Sequence, residues 1–362
     1  MKIGITLYPY GENSPAGLAR YIFDLTKALV ENDPNNEYII FLKENPKNRP
    51  VFSGDNWKIY VLGYGSFWRS VGFWFAPKAD VYIFNTPRLP LFFKPKRSLV
   101  IILDFAYYVY MTNSFSFKNY ISKKFLFVLN KLSLMRASKI ISISNATKDE
   151  CFRIFGVKKD SIEVIYPGFR DICGVPSQEV SIDKPYILFV GIVKERKNVY
   201  NLVSAFIKSK KDDNIKHKLI IVGKTGGEYL DRIMDLINKS GMNDEIIFTG
   251  RVNDSELAHI YKNADVFAFP SIIEGFGMPV LEAMACGIPV ITSNSSSLGE
   301  VAGDAALKIN PFNVDEISKA ITLLAKDNKV RDDLILKGFV RCKEFSWNKS
   351  ANEFINVINN LI

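Results

Sequence analysis

The 362-residue chain has only four cysteines, Cys151, Cys173, Cys286 and Cys342, no Cys-x-x-Cys pair, and two histidines. That scarcity excludes a zinc centre built from Cys and His and argues against a disulfide framework. The expected state is four reduced, buried thiols, as in a cytoplasmic protein. Asp-x-Asp is also absent, so no metal site is expected. No Gly-x-Gly-x-x-Gly opens a domain, which disfavours a dinucleotide-dependent oxidoreductase. Long apolar runs are lacking as well. The least charged stretch, residues 98–117, is broken by Asp104 and runs into Thr112, Asn113 and Ser114, too short an apolar run to span a bilayer. The amino terminus, MKIGITLYPYG, ends its apolar stretch in Tyr-Pro-Tyr-Gly rather than at a small-residue cleavage site, so no signal peptide is expected.

What is present points to a folded α/β protein. An apolar fraction of 48% with 23% charged residues excludes a disordered chain, and the length predicts two domains. Charge is divided unevenly. Of the net +9, residues 1–170 hold 24 Lys and Arg against 13 Asp and Glu, and the remainder is slightly acidic. The first half also carries 32 of the 47 aromatic residues. Such a half suits nucleic acid, anionic lipid or a phosphorylated substrate.

Short apolar runs alternate with amphipathic segments, the pattern of βα units around parallel sheets. Strands are expected over 3–8, 38–42, 58–62, 81–85, 99–104, 140–144 and 162–166, with helices over 17–31 and 118–135. A second series starts at 186–191, continues through 219–223, 246–249, 266–270 and 290–292, and ends in three helical stretches after Asn313. Between them, residues 168–185 lose all periodicity. Two Rossmann-like domains follow, 1–170 and 171–345, with a last helix over 346–362. Ligands of such sheets bind beyond the carboxyl ends of the strands.

Two of those loops hold the chemistry. In PSIIEGFGMPVLEAMACGIPVITSN, residues 270–294, a strand ends, Glu274 follows in the loop, and a helix starts near Met278 with Pro279 in its first turn. Free N–H groups at that helix start, approached closely over Gly275 and Gly277, suit an anion or sugar hydroxyls. Glu282, one turn on, leans back toward the same mouth. The bland alternative is a helix-start turn with solvated glutamates. In YILFVGIVKERKNVYNLVSAF, residues 186–206, Lys194, Arg196 and Lys197 stand in the loop after a strand, and a guanidinium beside an ammonium suits a diphosphate leaving group. Alone, such a run is usually a solvated loop.

Together with VGKTGGEYL at 222–230, FTGRVNDSELAHIYKNADVFAFPS at 248–271 and FSW at 345–347, these segments resemble the retaining, nucleotide-sugar-dependent glycosyltransferases of family 4. The first domain matches more loosely, through a glycine-containing loop and ISISNATKD at 141–149. The resemblance implies the GT-B fold, two facing Rossmann-like domains with a cleft between them, and a last helix crossing back to the first domain. It implies that Glu274 holds hydroxyls of the donor sugar and Glu282 the ribose. Arg196 and Lys197 would bind the diphosphate, and the amides of Gly275, Phe276, Gly277 and Met278 the transferred sugar. Arg251 and Val252 would lie beside the nucleobase and Gly17 at the interdomain face. Asp104 would be either a polar acceptor-site residue or a helix cap. The chain departs from many relatives in having Leu103-Asp104 in place of His-Asp, and Ser14-Pro15-Ala16-Gly17 in place of paired glycines.

The implied activity is retaining transfer of a hexose from a nucleotide diphosphate sugar to a glycan, lipid-linked as in surface polysaccharide or O-antigen assembly. It would need no cofactor or metal. The alternatives are a non-catalytic two-lobed sugar- or nucleotide-binding protein, or an epimerase or phosphorylase of the same fold. A nucleic-acid binder would account for the charge but not for EGFGMPVLE. A peripheral contact with anionic membrane is expected through the helix from Lys118 to Met135. On a helical wheel its Ile121, Phe125, Val128, Leu129, Leu132 and Met135 would dock on the sheet. Tyr120, Phe127 and Leu134, with Lys123, Lys124 and Lys131, would then face outward to lipid or a covering element.

Overall fold

The computed structural model describes residues 1–10, 17–90, 92–106, 108 and 117–362, and the side chains of all of these except 117–123. By its internal contacts the chain divides into two units, Met1–Gly168 with Phe345–Ile362, and Phe169–Glu344.

In the first unit the apolar runs become β1 (Lys2–Thr6), β2 (Glu37–Leu42), β3 (Trp57–Val61), β4 (Val81–Phe84), β5 (Ser98–Ile102), β6 (Lys139–Ser142) and β7 (Ile162–Val164). They form one parallel sheet in the order β3-β2-β1-β4-β5-β6-β7, with Ile3 between Tyr38 and Val81 in register. Strands such as Val81–Phe84 are buried along their whole length, because helices cover both faces of a parallel sheet. Helix α1 (Leu18–Asn32) buries Tyr21, Ile22, Leu25 and Leu29. Helix α2 (Phe117–Arg136) precedes β6, and α3 (Asn145–Phe155) starts at Ser144, whose hydroxyl caps the Thr147 amide at 3.0 Å.

Helix α2 turns the other way from the expected one. Phe127 stacks on Phe155 with ring centres 5.1 Å apart, and Leu134 is buried. Phe125, Val128, Leu132 and Met135 are exposed. The reason is that two polar residues lie on the buried side. Asn130 donates to the Tyr108 hydroxyl at 2.7 Å, and Ser133 accepts from the Leu89 amide at 3.1 Å. With Asn130 Nδ2 and Ser133 Oγ paired, and only Asn130 Oδ1 of the two side chains left without a partner among the described residues, burying this side costs little, so counting apolar residues selects the wrong stripe. Tyr120, Ile121, Lys118 and Lys123 lie outside the described side chains.

The second unit has β8 (Tyr186–Val190), β9 (Lys218–Val222), β10 (Ile246–Gly250), β11 (Val266–Phe269), β12 (Val290–Ser293) and β13 (Ala306–Ile309), parallel in the order β10-β9-β8-β11-β12-β13. The last strand falls on ALKI, a stretch whose lysine hides it from a search for apolar runs. The helices that matter for the site are α4 (Val199–Asp213), α5 (Glu228–Ser240), α6 (Asp254–Lys262), α7 (Met278–Ala285) and α8 (Ser296–Ala302). Helices α9 (Val314–Lys326) and α10 (Asn328–Cys342) follow. After them α11 (Trp347–Asn359) packs on α1 in the first unit, Trp347 meeting Tyr21 edge-on at 5.5 Å.

Cys173 and Cys286 form a disulfide, their Cα atoms 5.5 Å apart across 113 residues of sequence. This overturns the expectation of four reduced thiols for that pair, while Cys151 and Cys342 are free and buried. Spacing carries no signal for cysteines so distant in sequence. Only the fold brings Cys173 against Cys286 at the C-terminal cap of α7. Among the described residues no helix is long and apolar enough to cross a membrane, and no group of three His, Cys, Asp or Glu side chains is placed to hold a metal ion.

Candidate active site

The order of the second sheet reverses between β8 and β11, and at such a point the loops beyond the strand ends part to leave a crevice. The two loops there are the two that the sequence singles out. They are tied together through the main chain, the Ile272 amide donating to the Arg196 carbonyl at 2.8 Å. Asn198 secures the first loop. It sits in a left-handed conformation at φ 60°, is buried, and its side-chain amide donates to the carbonyls of Pro270 at 3.1 Å and Pro311 at 2.6 Å.

Arg196, Lys197 and Glu274 meet in one cluster. Arg196 Nη1 donates to Glu274 Oε2 at 3.1 Å and to the Ile273 carbonyl at 3.2 Å, while Lys197 Nζ pairs with Glu274 Oε1 and lies 4.7 Å from the Phe269 ring centre. The Glu274 side chain is 10% exposed. Burial alone pushes its carboxyl pKa up, but Lys197 and Arg196 outweigh burial and hold it below the ordinary glutamate value. Glu274 is therefore an ionised, buried carboxylate and not a solvated loop residue. Two cations on one carboxylate leave the cluster with a net positive charge.

A run of hydroxyls fixes the loop that carries Glu274. Thr292, Ser293 and Ser295 donate to the carbonyls of Phe269, Ser271 and Ile272 at 3.0, 2.6 and 2.9 Å. Ser296 Oγ accepts from the Glu274 amide at 3.0 Å, and Ser297 Oγ lies 2.8 Å and 2.9 Å from the carbonyls of Glu274 and Phe276. Each bond satisfies a backbone group that a loop would otherwise leave open.

Helix α7 begins directly after this loop. Gly277 has φ 109°, a conformation that favours glycine, and a Cβ there would stand 2.5 Å from Leu298 Cδ2 and have to displace it. Gly275 and Phe276 are buried beside it, and Met278 is half-buried at the first position of the helix. Glu282 accepts from the buried Tyr261 hydroxyl at 3.2 Å. Arg251 and Val252 follow β10, the first exposed and the second half-buried.

In the first unit, Gly17 takes φ 59° at the N-terminal cap of α1, with open space where a Cβ would be. Residues 14–16 lie outside the described ones. Asp104, exposed beyond β5, accepts from the Ala106 amide at 3.1 Å, the geometry of a capping turn. Sequence reasoning overlooked Tyr261, Asn198 and the 292–297 hydroxyls. The run SNSSS directly after a strand adjoining β11 is a signal for the last of these. Nothing local marks Tyr261.

Comparison with known proteins follows this geometry. Residues 176–340 match the family model described as Glycosyl transferases group 1. O-antigen chain mannosyltransferase B of Escherichia coli is 33% identical over 233 residues, covering 62% of this chain and 61% of that protein. The chain thus spans about three fifths of the length of that curated relative. Among solved structures, sucrose-phosphate synthase from Thermosynechococcus elongatus superposes with a TM-score of 0.77 at 20% identity, covering 99% of this chain and 98% of the other. HepE of Anabaena, in complex with UDP and glucose, gives 0.73 at 17% identity over 99% and 100%. By fold the chain is GT-B, two Rossmann-like units on parallel sheets of seven and six strands, and the part of it that matches the Glycosyl transferases group 1 model lies in the second unit.

Proposed function

We propose that this protein is a retaining hexosyltransferase of glycosyltransferase family 4, which moves a hexose from a nucleotide diphosphate sugar to a glycan acceptor. The observation that carries this reading is the net-positive cluster of Arg196, Lys197 and Glu274 at the sheet's reversal point, beside the open N-terminus of α7. In this reading the two cations receive the diphosphate and stabilise its charge as the bond from the sugar C1 to its oxygen breaks. The acceptor hydroxyl forms the new bond to C1 on the same face, and its proton passes to the departing diphosphate oxygen. Glu274 orients sugar hydroxyls from beside the cations, and Glu282, held by Tyr261, binds the ribose. Arg251 and Val252 flank the base. The E. coli relative is an O-antigen chain mannosyltransferase, which favours mannose as the hexose and a lipid-linked polysaccharide as the acceptor. No metal enters the scheme, since side-chain cations take that place.

The exposed stripe of Phe125, Val128, Leu132 and Met135, with Lys131 and Arg136 beside it, supports peripheral binding to anionic membrane, where a lipid-linked acceptor resides. The experiment is incubation of the pure protein with a panel of nucleotide sugars, without acceptor and after exhaustive EDTA treatment. Slow hydrolysis of one donor is expected. Binding without hydrolysis of any donor would favour a non-catalytic binding protein, and hydrolysis restored only by a divalent cation would refute the metal-free scheme.

A further inference from the structure

The first sheet also reverses its order, between β1 and β4, and this second reversal point is furnished with different chemistry. Tyr8 stands beyond β1, and Asn85 and Thr86 stand beyond β4. The helical turn after β3 brings Arg69 to the same place. The Arg69 guanidinium carbon lies 5.4 Å from the Tyr8 ring centre and 4.7 Å from that of Trp68, and Nη2 donates to Thr86 Oγ1 at 3.1 Å. The two rings are themselves in contact, 5.0 Å apart. Lys43, just past β2, adds an ammonium 6.0 Å from the Tyr8 ring, already 3.8 Å from the Glu44 carboxylate. Asn85, 2% exposed, donates through Nδ2 to the Tyr8 carbonyl, and its Oδ1 has no hydrogen-bond partner.

Among the described residues no carboxylate pairs with Arg69, in contrast to Arg196 and Lys197, which share Glu274. Its charged neighbour is another cation, Arg88, whose amide donates to the carbonyl of the same Thr86 at 2.7 Å. Burial, and then Arg88, lower the Arg69 pKa to about 10. A partly desolvated guanidinium beside a like charge is unfavourable until an anion supplies the counter-charge. The aromatic faces and the Thr86 hydroxyl hold the planar fork in one orientation, and a fork with further cations around it matches a multiply charged phosphate group.

We propose that Tyr8, Arg69, Thr86 and Arg88 form a phosphate-binding subsite at the reversal point of the first unit, which takes a phosphate group carried by the acceptor. Only the word acceptor rests on the glycosyl-transfer reading. A soluble sugar phosphate and a lipid-linked sugar diphosphate share this chemistry. The exposed Phe67, Trp74 and Phe75 on either side of Arg69 in the chain favour the lipid-linked form.

The test uses inorganic pyrophosphate, titrated calorimetrically into an Arg196→Ala, Lys197→Ala variant that lacks the cations of the second unit. One binding event is expected to remain. Adding Arg69→Met should weaken it at least about tenfold, whereas Arg69→Lys should retain part of it. Thermal melting checks that each variant folds. If Arg69→Met does not fold, Arg88→Met, at an exposed position, should weaken binding severalfold instead. Absence of pyrophosphate binding in the two-alanine variant, or binding indifferent to both methionine substitutions, overturns the subsite. Competition by hexose 1-phosphate in solution, or by a polyprenyl diphosphate sugar in neutral vesicles, supports it and identifies the source; competition by neither overturns it. Donor hydrolysis by the unsubstituted protein is read separately. Its absence would sink the transfer reading and leave the pyrophosphate result standing.

Discussion

Glu274 keeps its charge at 10% exposure because Arg196 and Lys197 face it, and the same two cations are the groups a diphosphate would use. Removing the carboxylate therefore frees cations that it now neutralises. In a Glu274→Gln variant, nucleoside diphosphate affinity should be unchanged or tighter, while turnover falls by about 10- to 100-fold, the loss of one charged hydrogen-bonding group. Glu282→Ala should act oppositely, weakening nucleotide binding. Calorimetry and single-substrate kinetics separate the two; weaker diphosphate binding by the Gln variant would show that Glu274 does not compete for the cations. His217 makes a second case at this scale. It is 6% exposed, neither ring nitrogen has a hydrogen-bond partner, and its pKa is lowered from 6.5, by burial first and then by Arg331 and Lys210, with Asp265 opposing. The unfolded chain then binds the proton more readily than the folded one. Stability from this residue is complete above pH 6.5 and declines as the pH falls from there toward the lower folded value. Melting curves of a His217→Leu variant should be flatter over that window than those of the parent.

At the scale of elements, the rotation of α2 decides which variants test membrane binding. Phe125→Ser, Leu132→Ser and Met135→Ser together should abolish sedimentation with anionic vesicles at low salt and leave the melting temperature nearly unchanged, since all three side chains are exposed. Phe127→Ser, by contrast, removes the ring stacked on Phe155 and should cost roughly 2–4 kcal/mol of stability. If the triple variant sediments as the parent does, this helix is not the anchor. The hydroxyl run after β12 illustrates the same level of organisation. The bonds these hydroxyls make to the backbone of residues 269–276 together set the path of the loop that delivers Glu274.

For the molecule as a whole, the Cys173–Cys286 disulfide links the stretch entering the second unit to the end of the helix that bears Glu282. Closing a loop of this length restricts the unfolded chain, an effect worth up to about 5 kcal/mol. Reductant, or a Cys286→Ser substitution, should lower the midpoint of thermal unfolding accordingly. Equal midpoints with and without reductant would mean that the bridge contributes nothing to stability. The presence of the bridge also removes the argument from few cysteines to a reducing compartment, because a low count does not say which thiols meet.

The parallel sheets were legible in the sequence because their central strands, such as Val81–Phe84 and Ser98–Ile102, are short apolar runs buried along their whole length, and burial of that kind leaves a local signature. The loops bearing Arg196, Lys197 and Glu274, and the helix start that carries Glu282, were legible for a related reason, since glycine, proline and charge together at a strand end are a local pattern. The strand Ala306–Ile309 escaped because Lys308 breaks its apolar run. Contacts between residues far apart were another matter. The pairing of Glu274 with two cations from a loop 77 and 78 residues away, the Tyr261 hydroxyl on Glu282, the buried face of α2 and the disulfide each depend on which elements the sheet order sets side by side. The sequence by itself determined the strands, the loops and the residue types at their ends. Tertiary structure alone decided their partners, because hydrogen bonds and ion pairs act over a few ångströms of space and leave no periodicity along the chain.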